Sequence, residues 1–446
     1  MEETAPQVVA EAPWTLVEDS RVGDEHTRRW THPAGAVLLA RTTTLGGASL
    51  RVRLSAPPDR EVEVPTPVWV PGGPAPVQAW LAGAEGRVLE RGADGLVWWT
   101  QQAGQCRLVD AGIGLWDDPC RVPAGATLVS QWQSRRVESV GQAVAGLPAW
   151  LPEELVGVVG DEVVVDLPDA GLVLDGRDLS TTRLRLGRGW SHLDVHHCRG
   201  LTRLDLAGAP GLDEVASWRA REALDTDPRR WSGALAWIVA RASRHGAGAG
   251  IPAAVRDAVE TLMSRPGADL STCAVAALCA AQDRDLDLWE SAVAAAGNLP
   301  AAQPGAVMVR VWMRGLGAVA TTGAPWPQPP ALPPLEGTPD PLVLAERAVW
   351  SGAGGLDADL LAAGLEAVWL LGADLPAPDP GPLVDDGGRV SPWRTAMACA
   401  VTSPWPASAA LTEGRTVSVG QLRQRARRRL LALDHLDDEA LALLLW

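Results

Sequence analysis

The stretch DPRRWSGALAWIVARASRHG, residues 227–246, is where the pattern of the sequence changes. Upstream of it apolar residues recur at every second position, and within it they recur at helical spacing. Asp227 is a favourable N-cap, and Pro228 suits the first helical position. Gly246 follows a last turn that carries Arg244 and His245, which is typical of a helix end. We therefore predict a helix here, and with it an α+β fold whose strands precede its helices.

The first part of the chain alternates apolar and polar residues in short runs such as SLRVRLS, REVEVP and GLVWWTQQ. Glycine and proline separate these runs at intervals of about ten residues, which is typical of an antiparallel sandwich or barrel. We therefore expect a β-sandwich-like domain over residues 14–141.

A second β-rich segment is predicted over residues 147–217, where runs such as EVVVDLP, GLVLDG and TRLDLAG follow one another. It forms a second small sandwich, or the closing strands of the first one, or else a short solenoid. The leucine spacing between Cys198 and Val215 resembles one turn of a leucine-rich repeat. Because a solenoid needs about three similar units to bury its core and no second clean copy is present, we favour the sandwich.

An Ala-rich helical domain is expected over residues 227–320, followed by a Pro-rich linker at 321–341 and a C-terminal helical segment at 342–446. Such a series of short helices builds a bundle or an α-solenoid. Beyond the helix described above, we predict helices at residues 252–263, 271–281, 285–296, 306–319, 342–350, 357–371, 393–401 and 418–433.

The composition excludes many enzyme classes, because the chain contains no Lys, Phe or Tyr but has 21 Trp, 46 Gly and 36 Pro. Without lysine there is no P-loop lysine, no Schiff base and no Ser-x-x-Lys pair. The GxGxxG, GxSxG, HExxH and CxxC motifs are also absent from the sequence. We attribute the missing residue types to a very GC-rich bacterial gene, so that tryptophan has to fill every aromatic role.

The charge of the chain and its termini bear on partners and location. A net charge of −15 and a pI near 5.0 argue against a nucleic-acid partner, which needs a basic surface to neutralise phosphates. The stretch MEETAPQVVAEAPW is acidic where a signal peptide is basic, and no apolar run approaches the roughly 20 residues of a membrane span. Six Cys without a dense spacing pattern fit reduced thiols. We therefore expect a cytoplasmic protein with no membrane partner.

The most reactive side chains are concentrated in SHLDVHHC, residues 191–198. Because side chains alternate along a strand, one face holds His192, Asp194, His196 and Cys198. These residue types suit zinc, but the two histidines would lie roughly 13 Å apart, so one strand supplies at most two ligands. Two interpretations follow: a metal site completed from elsewhere, or a solvent-facing strand that binds no metal. We favour the second.

Two further features are candidates for partner binding. Trp98 and Trp99 point to opposite faces of a predicted strand, so one indole forms a carbohydrate or protein platform unless both faces are covered. The helix QLRQRARRRLLAL carries Arg423 and Arg427 on its polar side. They bind an acidic partner, RNA or a membrane surface, or they are neutralised by the DHLDDE that follows, which we favour.

Since the sequence contains no familiar set of catalytic residues, we predict a non-catalytic bacterial binding or scaffolding protein. It acts through interaction with another protein and needs no cofactor. The first alternative is a metal-dependent hydrolase in which zinc bound by His192, Asp194 and His196 activates water. The second alternative is a carbohydrate-binding β domain that uses Trp98 or Trp99.

Overall fold

The strands lie mainly in the first half of the chain and the helices in the second half, which confirms the predicted α+β fold. The β-sandwich-like region comes first and the helical region follows it. The computed structural model of the chain describes residues 7–44, 48–70, 78–92, 95–109, 112–137, 142, 147–148, 150–151, 155–167, 170–197, 200–244, 250–320, 325–331, 340–350, 391–404, 409–412, 415–417 and 419–446.

The described residues form strands that are short and mostly antiparallel. In chain order they are β1 (Gln7–Val9), β2 (Thr15–Val22), β3 (Glu25–Thr31), β4 (Val37–Thr43), β5 (Ser49–Ser55), β6 (Val62–Val64), β7 (Val68–Val70), β8 (Gln78–Gly83), β9 (Arg87–Gly92), β10 (Gly95–Ala103), β11 (Arg107–Val109), β12 (Gly112–Gly114), β13 (Cys120–Val122), β14 (Thr127–Val137), β15 (Val156–Val158), β16 (Glu162–Val164), β17 (Gly171–Leu174), β18 (Arg177–Leu179), β19 (Arg183–Arg185), β20 (Gly189–His197), β21 (Gly200–Ala209), β22 (Ala409–Thr412) and β23 (Arg415–Val417).

One long sheet joins the two β-rich stretches of the sequence. Its order is β18-β17-β20-β21-β8-β9-β10-β14-β5-β4-β3-β2, and β15 pairs in parallel with β21. The junction consists of the antiparallel pairs Thr202 with Gly83 and Arg203 with Ala82. The second stretch therefore closes the sheet of the first, and its strands β20 and β21 are antiparallel, unlike the parallel turns of a solenoid. The domain boundaries stay predictions.

A four-stranded sheet in the order β1-β7-β12-β11 packs on one face of the long sheet. Trp69 of β7 is fully buried, and its ring centroid lies 4.9 Å from those of Trp99 and Trp132. Since the chain has no Phe or Tyr, these three indoles fill the space between the two sheets.

The helices within the described ranges follow the strands. In chain order they are α1 (Leu212–Leu224), α2 (Gly233–Arg244), α3 (Ala253–Met263), α4 (Leu270–Asp283), α5 (Leu286–Asn298), α6 (Ala306–Ala320), α7 (Pro341–Trp350), α8 (Pro392–Val401), α9 (Val419–Leu431) and α10 (Asp438–Leu444). None of these helices has the length and apolarity needed to cross a bilayer.

The helix predicted at residues 227–246 begins later than its sequence suggests. Asp227 caps only a short 3₁₀ turn, Pro228–Arg230. Trp231 then adopts an extended backbone and buries its indole, with 2% exposed. Burial of this large side chain interrupts the helix, so α2 begins at Gly233.

The remaining predicted helices agree with α3 to α9 to within a few residues, except that residues 357–371 lie outside the described part of the chain. Helix α1 was not predicted. Its buried face consists of Ala216, Ala220 and Ala223, and alanine gives only a weak amphipathic signal.

Part of the predicted Pro-rich linker packs onto the helices. The ring centroids of Trp326 and Trp289 lie 5.0 Å apart, and the Pro327 carbonyl accepts the Trp289 indole N–H at 2.8 Å. Arg314 of α6 donates to the Pro329 carbonyl at 3.0 Å. This part of the linker therefore lies across α5 and α6.

Candidate functional site

The outer face of β20 carries the side chains that the sequence singles out. His192 and His196 are exposed and Asp194 is half-buried, whereas Leu193 and Val195 are fully buried. The side chains therefore alternate as predicted, and the two imidazoles share a solvent-facing surface with the carboxylate between them.

Trp190 lies on the same face, and sequence reasoning missed it. Its side chain is 41% exposed, and it precedes His192 by two residues in the same strand. The two-residue alternation of the strand, extended back from His192, places Trp190 on the same face, so this pattern could have identified it. We call the surface formed by Trp190, His192, Asp194 and His196 the histidine face.

Asp194 forms an ion pair with Arg203, which lies opposite it on β21, and its Oδ1 accepts the Arg203 Nε–H at 3.1 Å. A second carboxylate, that of Asp117, lies 3.6 Å from Arg203 Nη1. The Arg203 side chain is 43% exposed, so solvent screens both pairs and they add little to stability. The two ion pairs instead position the Arg203 guanidinium at the border of the histidine face.

Two described segments border this face, and on the β17 side the described residues leave His196 without an opposing side chain. The turn that contains Asp117 lies on the β21 side. The second segment follows α9 and lies at the start of β20. Its Asp434 carboxylate is close to Gly189, which has a φ of +84°, because a Cβ on that glycine would lie 3.6 Å from Asp434 Oδ1. On the β17 side, Gly171 lies opposite His196 and has no side chain to cover the imidazole.

The backbone of His192 is held by Asp175, in the turn between β17 and β18. The His192 N–H donates to Asp175 Oδ1 at 2.8 Å, and the His192 carbonyl accepts the Asp175 N–H at 2.9 Å. Asp175 has a φ of 47°, in the left-handed region that short polar residues tolerate. This contact fixes the middle of β20, where the imidazoles project.

Zinc binding by this strand stays a prediction. Within the described ranges, no group of three or more His, Cys, Asp or Glu is placed to hold a metal ion, and Cys198 lies outside those ranges. His197 is on the buried side, where its Nε2 lies 2.8 Å from Thr202 Oγ1 and its ring centroid lies 6.0 Å from that of Trp150. His197 is therefore part of the packing beneath the histidine face.

Trp98 and Trp99 are both buried, each with 1% exposed. Trp99 packs against the indoles between the two sheets, whereas Trp98 packs with Leu89 and Val137 on the other side of β10. Both faces of the strand are covered, so neither indole offers a platform for a sugar or a protein.

Arg423 and Arg427 lie on α9 where it packs on α8. Arg423 Nη1 donates to the Thr402 carbonyl at 2.6 Å, and burial lowers the pKa of the Arg423 guanidinium. Burial raises the pKa of the Cys399 thiol to about 12, and the charges of Arg427 and Arg423 oppose this rise. Both arginines therefore lie close to the interior, and a partner role for them stays a prediction.

Three of the described cysteines are buried and are poor nucleophiles. Burial raises the pKa of the Cys106 and Cys273 thiols to about 12 and that of the Cys120 thiol to about 11. Very little thiolate is therefore present at these positions at neutral pH.

Comparison with known proteins gives information about the fold. No protein-family model matches the chain, and no curated protein matches its sequence. A solved structure described as Polysaccharide Lyase BACCELL_00875 is similar to it, with a TM-score of 0.57 and 8% identity over 98% of this chain and 86% of that chain. At this identity the likeness shows a shared fold alone.

This likeness corrects the functional prediction. The sequence predicted a non-catalytic binding or scaffolding protein, whereas a protein that shares the fold over nearly the whole chain is named as a lyase. The prediction was wrong because it rested on missing motifs. Catalytic side chains can lie on a sheet face without forming any familiar motif, since the site is defined by geometry and not by local sequence.

Proposed function

We propose that the chain is a carbohydrate-active enzyme that binds a polysaccharide along the histidine face and cleaves it there. The observation that carries the proposal is the exposed indole of Trp190 on the same strand face as the imidazoles of His192 and His196. An exposed indole offers a flat apolar surface for a sugar ring, and polar groups beside it fix the orientation of the sugar. The likeness to a polysaccharide lyase supports this choice.

The dimensions of the face suit an extended chain of sugars. From Trp190 to His196 the strand rises roughly 20 Å, since each residue adds about 3.3 Å. Gly171 leaves room beside His196 at one end, and Trp190 offers its indole at the other. A polysaccharide that lies along β20 contacts both.

Among the side chains that this protein contains, imidazole is the group best suited to proton transfer. Cleavage by elimination needs a base that removes a proton from the sugar and an acid that protonates the leaving oxygen. The chain has no Lys or Tyr, and the ordinary pKa of an imidazole lies near neutrality. We assign both steps to His192, which removes the proton from the sugar and returns it to the leaving oxygen. Asp175 holds the His192 backbone at both polar groups, and Trp190 lies beside it on the strand.

Arg203 provides hydrogen-bond donors at the border of the face. Asp194 and Asp117 orient its guanidinium, and nearly half of its side chain is open to solvent. A guanidinium held in this way stabilises negative charge that develops on the sugar during the reaction. Asp194 is then a positioning residue that acts through Arg203.

The test is to incubate a panel of polysaccharides with the wild type and with His192→Ala, and to identify the products by mass spectrometry. Elimination products lack the water that hydrolysis adds, so their mass identifies the reaction. We expect His192→Ala to lower the rate by about 100-fold or more.

The matched control is His26→Ala, because His26 is an imidazole on β3 that is hydrogen-bonded to Asp19 and lies outside the histidine face. Its rate is expected to equal that of the wild type. Full activity of His192→Ala, or no cleavage of any polysaccharide by the wild type, would overturn the proposal.

A further inference from the structure

Four arginines lie together on the outer face of β3, β4 and β5. Arg29, Arg41, Arg51 and Arg53 are all exposed, and they alternate along their strands with core residues such as Trp30. We call these four residues the arginine patch. Its charge is opposite in sign to the net charge of the chain, which is −15.

The strand register brings the four side chains close to one another. Arg41 of β4 is directly opposite Arg51 of β5, so their Cβ atoms lie about 4.5–5.5 Å apart. Arg29 and Arg53 lie on either side of Leu39 in one row across the strands, about 10 Å apart. The patch therefore forms a compact cluster of guanidinium groups that one linear polyanion can cover.

Most of this charge is not neutralised by the described part of the chain. Arg41 Nε lies 3.7 Å from Glu25 Oε1, and both side chains are about half exposed. Arg29 lies opposite Glu18 of β2 and forms no ion pair with it. Arg51 and Arg53 have no ion pair or side-chain hydrogen bond with any residue in the described ranges. Like charges directly opposite each other destabilise a sheet, so a bound anion would relieve the repulsion between Arg41 and Arg51.

The arginine patch lies far from the histidine face. Five strands, β21, β8, β9, β10 and β14, separate β20 from β5 in the long sheet. With neighbouring strands about 4.8 Å apart, the two surfaces are roughly 30 Å from each other. A short ligand on the patch therefore does not reach the histidine face, whereas a long polymer contacts both surfaces.

We infer that the arginine patch is a second binding site, which takes a polysaccharide that carries carboxylate groups and anchors it away from the cleavage site. Guanidinium groups bind carboxylates through two parallel hydrogen bonds, which suits a repeating acidic polymer. The choice of a polysaccharide rests on the proposed function. Nucleic acid is less well suited, because single-strand sites add aromatic residues for stacking and the register places no aromatic side chain within the patch.

The experiment measures binding of the intact chain to polygalacturonate by titration calorimetry, with uncharged dextran and duplex DNA as comparison ligands. The variant Arg51→Gln/Arg53→Gln is expected to bind polygalacturonate at least about tenfold more weakly, with a smaller dependence on salt, because fewer counterions are released. Dextran is expected not to bind the patch.

The matched control is Arg121→Gln/Arg183→Gln. It removes two arginines whose side chains are 71% and 68% exposed and which pair with Glu63 and Glu162. This variant should bind polygalacturonate like the wild type. Thermal unfolding of both double variants verifies that they are folded.

Two results would overturn the inference. One is equal affinity of Arg51→Gln/Arg53→Gln and the wild type for polygalacturonate. The other is tighter binding of duplex DNA than of polygalacturonate through the same two arginines. The proposed function is tested separately, because cleavage of short oligosaccharides that cannot reach both surfaces depends on His192 and not on Arg51 or Arg53.

Discussion

Trp132 donates its indole N–H to Ser130 Oγ at 3.0 Å, and both side chains are fully buried. Trp99, on the neighbouring strand, is 1% exposed, but its indole N–H has no acceptor among the described residues. In a chain without Phe, an indole occupies positions that a phenyl ring would fill. The two tryptophans therefore have similar burial and differ by one hydrogen bond.

Replacement of each tryptophan by Phe should separate packing from hydrogen bonding. Both substitutions lose buried volume, but Trp132→Phe also leaves the Ser130 hydroxyl without its partner, which costs about 1–3 kcal/mol. We therefore expect Trp132→Phe to lower the free energy of unfolding, measured with urea, by about 1–3 kcal/mol more than Trp99→Phe does. Equal losses would contradict the assignment of a single productive hydrogen bond.

Glu346 of α7 is fully buried, and its carboxylate accepts the N–H of Gly305 at 2.7 Å and that of Met308 at the start of α6. Burial raises the pKa of this carboxyl from 4.5 to about 7, although these hydrogen bonds oppose the rise. The folded state therefore keeps a proton that the unfolded state releases between these two values. The stability that this group contributes is complete below pH 4.5 and is lost as the pH rises to about 7.

Glu346→Gln removes this titration while it keeps the shape of the side chain. Between about pH 5 and about pH 8 the wild type should lose about 2–3 kcal/mol more unfolding free energy than the variant, since one pKa unit corresponds to about 1.4 kcal/mol. Urea unfolding at the two pH values checks this. Parallel pH profiles for the two proteins would contradict a raised pKa of Glu346 in the folded state.

Arg310 of α6 caps the end of α5. Its guanidinium is 4% exposed and donates to the carbonyls of Ala296 at 2.9 Å, Gly297 at 3.1 Å and Leu299 at 3.2 Å. Arg310→Met leaves these carbonyls without donors and should lower the unfolding free energy by about 3 kcal/mol or more. Arg314→Met, on the same helix, removes an exposed side chain that donates one hydrogen bond, to the Pro329 carbonyl, and should cost only about 1 kcal/mol. Similar melting temperatures for the two variants would contradict the capping role.

In the proposed reaction, His192 transfers the proton without a metal ion. We therefore expect that dialysis against a chelator leaves the cleavage rate unchanged and that added zinc does not increase it. Loss of activity on chelation, restored by zinc, would instead favour metal ligation by His192 and His196.

Some of this structure could be predicted from local sequence. The alternation in SHLDVHHC correctly places His192 and His196 outward and Leu193 and Val195 inward, because the period of a strand is a local property. The interruption at Trp231 could not be predicted, since it depends on where a large side chain finds space between distant helices.

The partners across the sheet could not be predicted. The alternation of RVRLS indicates that Arg51 and Arg53 share a face, but only the register places Arg41 opposite Arg51. In the same way, Arg203 reaches Asp117 because β21 pairs with β8, which comes much earlier in the chain. These contacts depend on long-range pairing, which no local pattern encodes.

The position of a polysaccharide along β20 is tested most directly by its affinity for two tryptophan variants in the His192→Ala background, which prevents cleavage. Trp190 and Trp218 are 41% and 48% exposed, but Trp218 lies on α1 and not on β20. Titration with the polysaccharide that the wild type cleaves should show about tenfold weaker binding for Trp190→Ala, a loss of about 1.4 kcal/mol, and no change for Trp218→Ala. Unchanged affinity of Trp190→Ala would contradict binding along the histidine face.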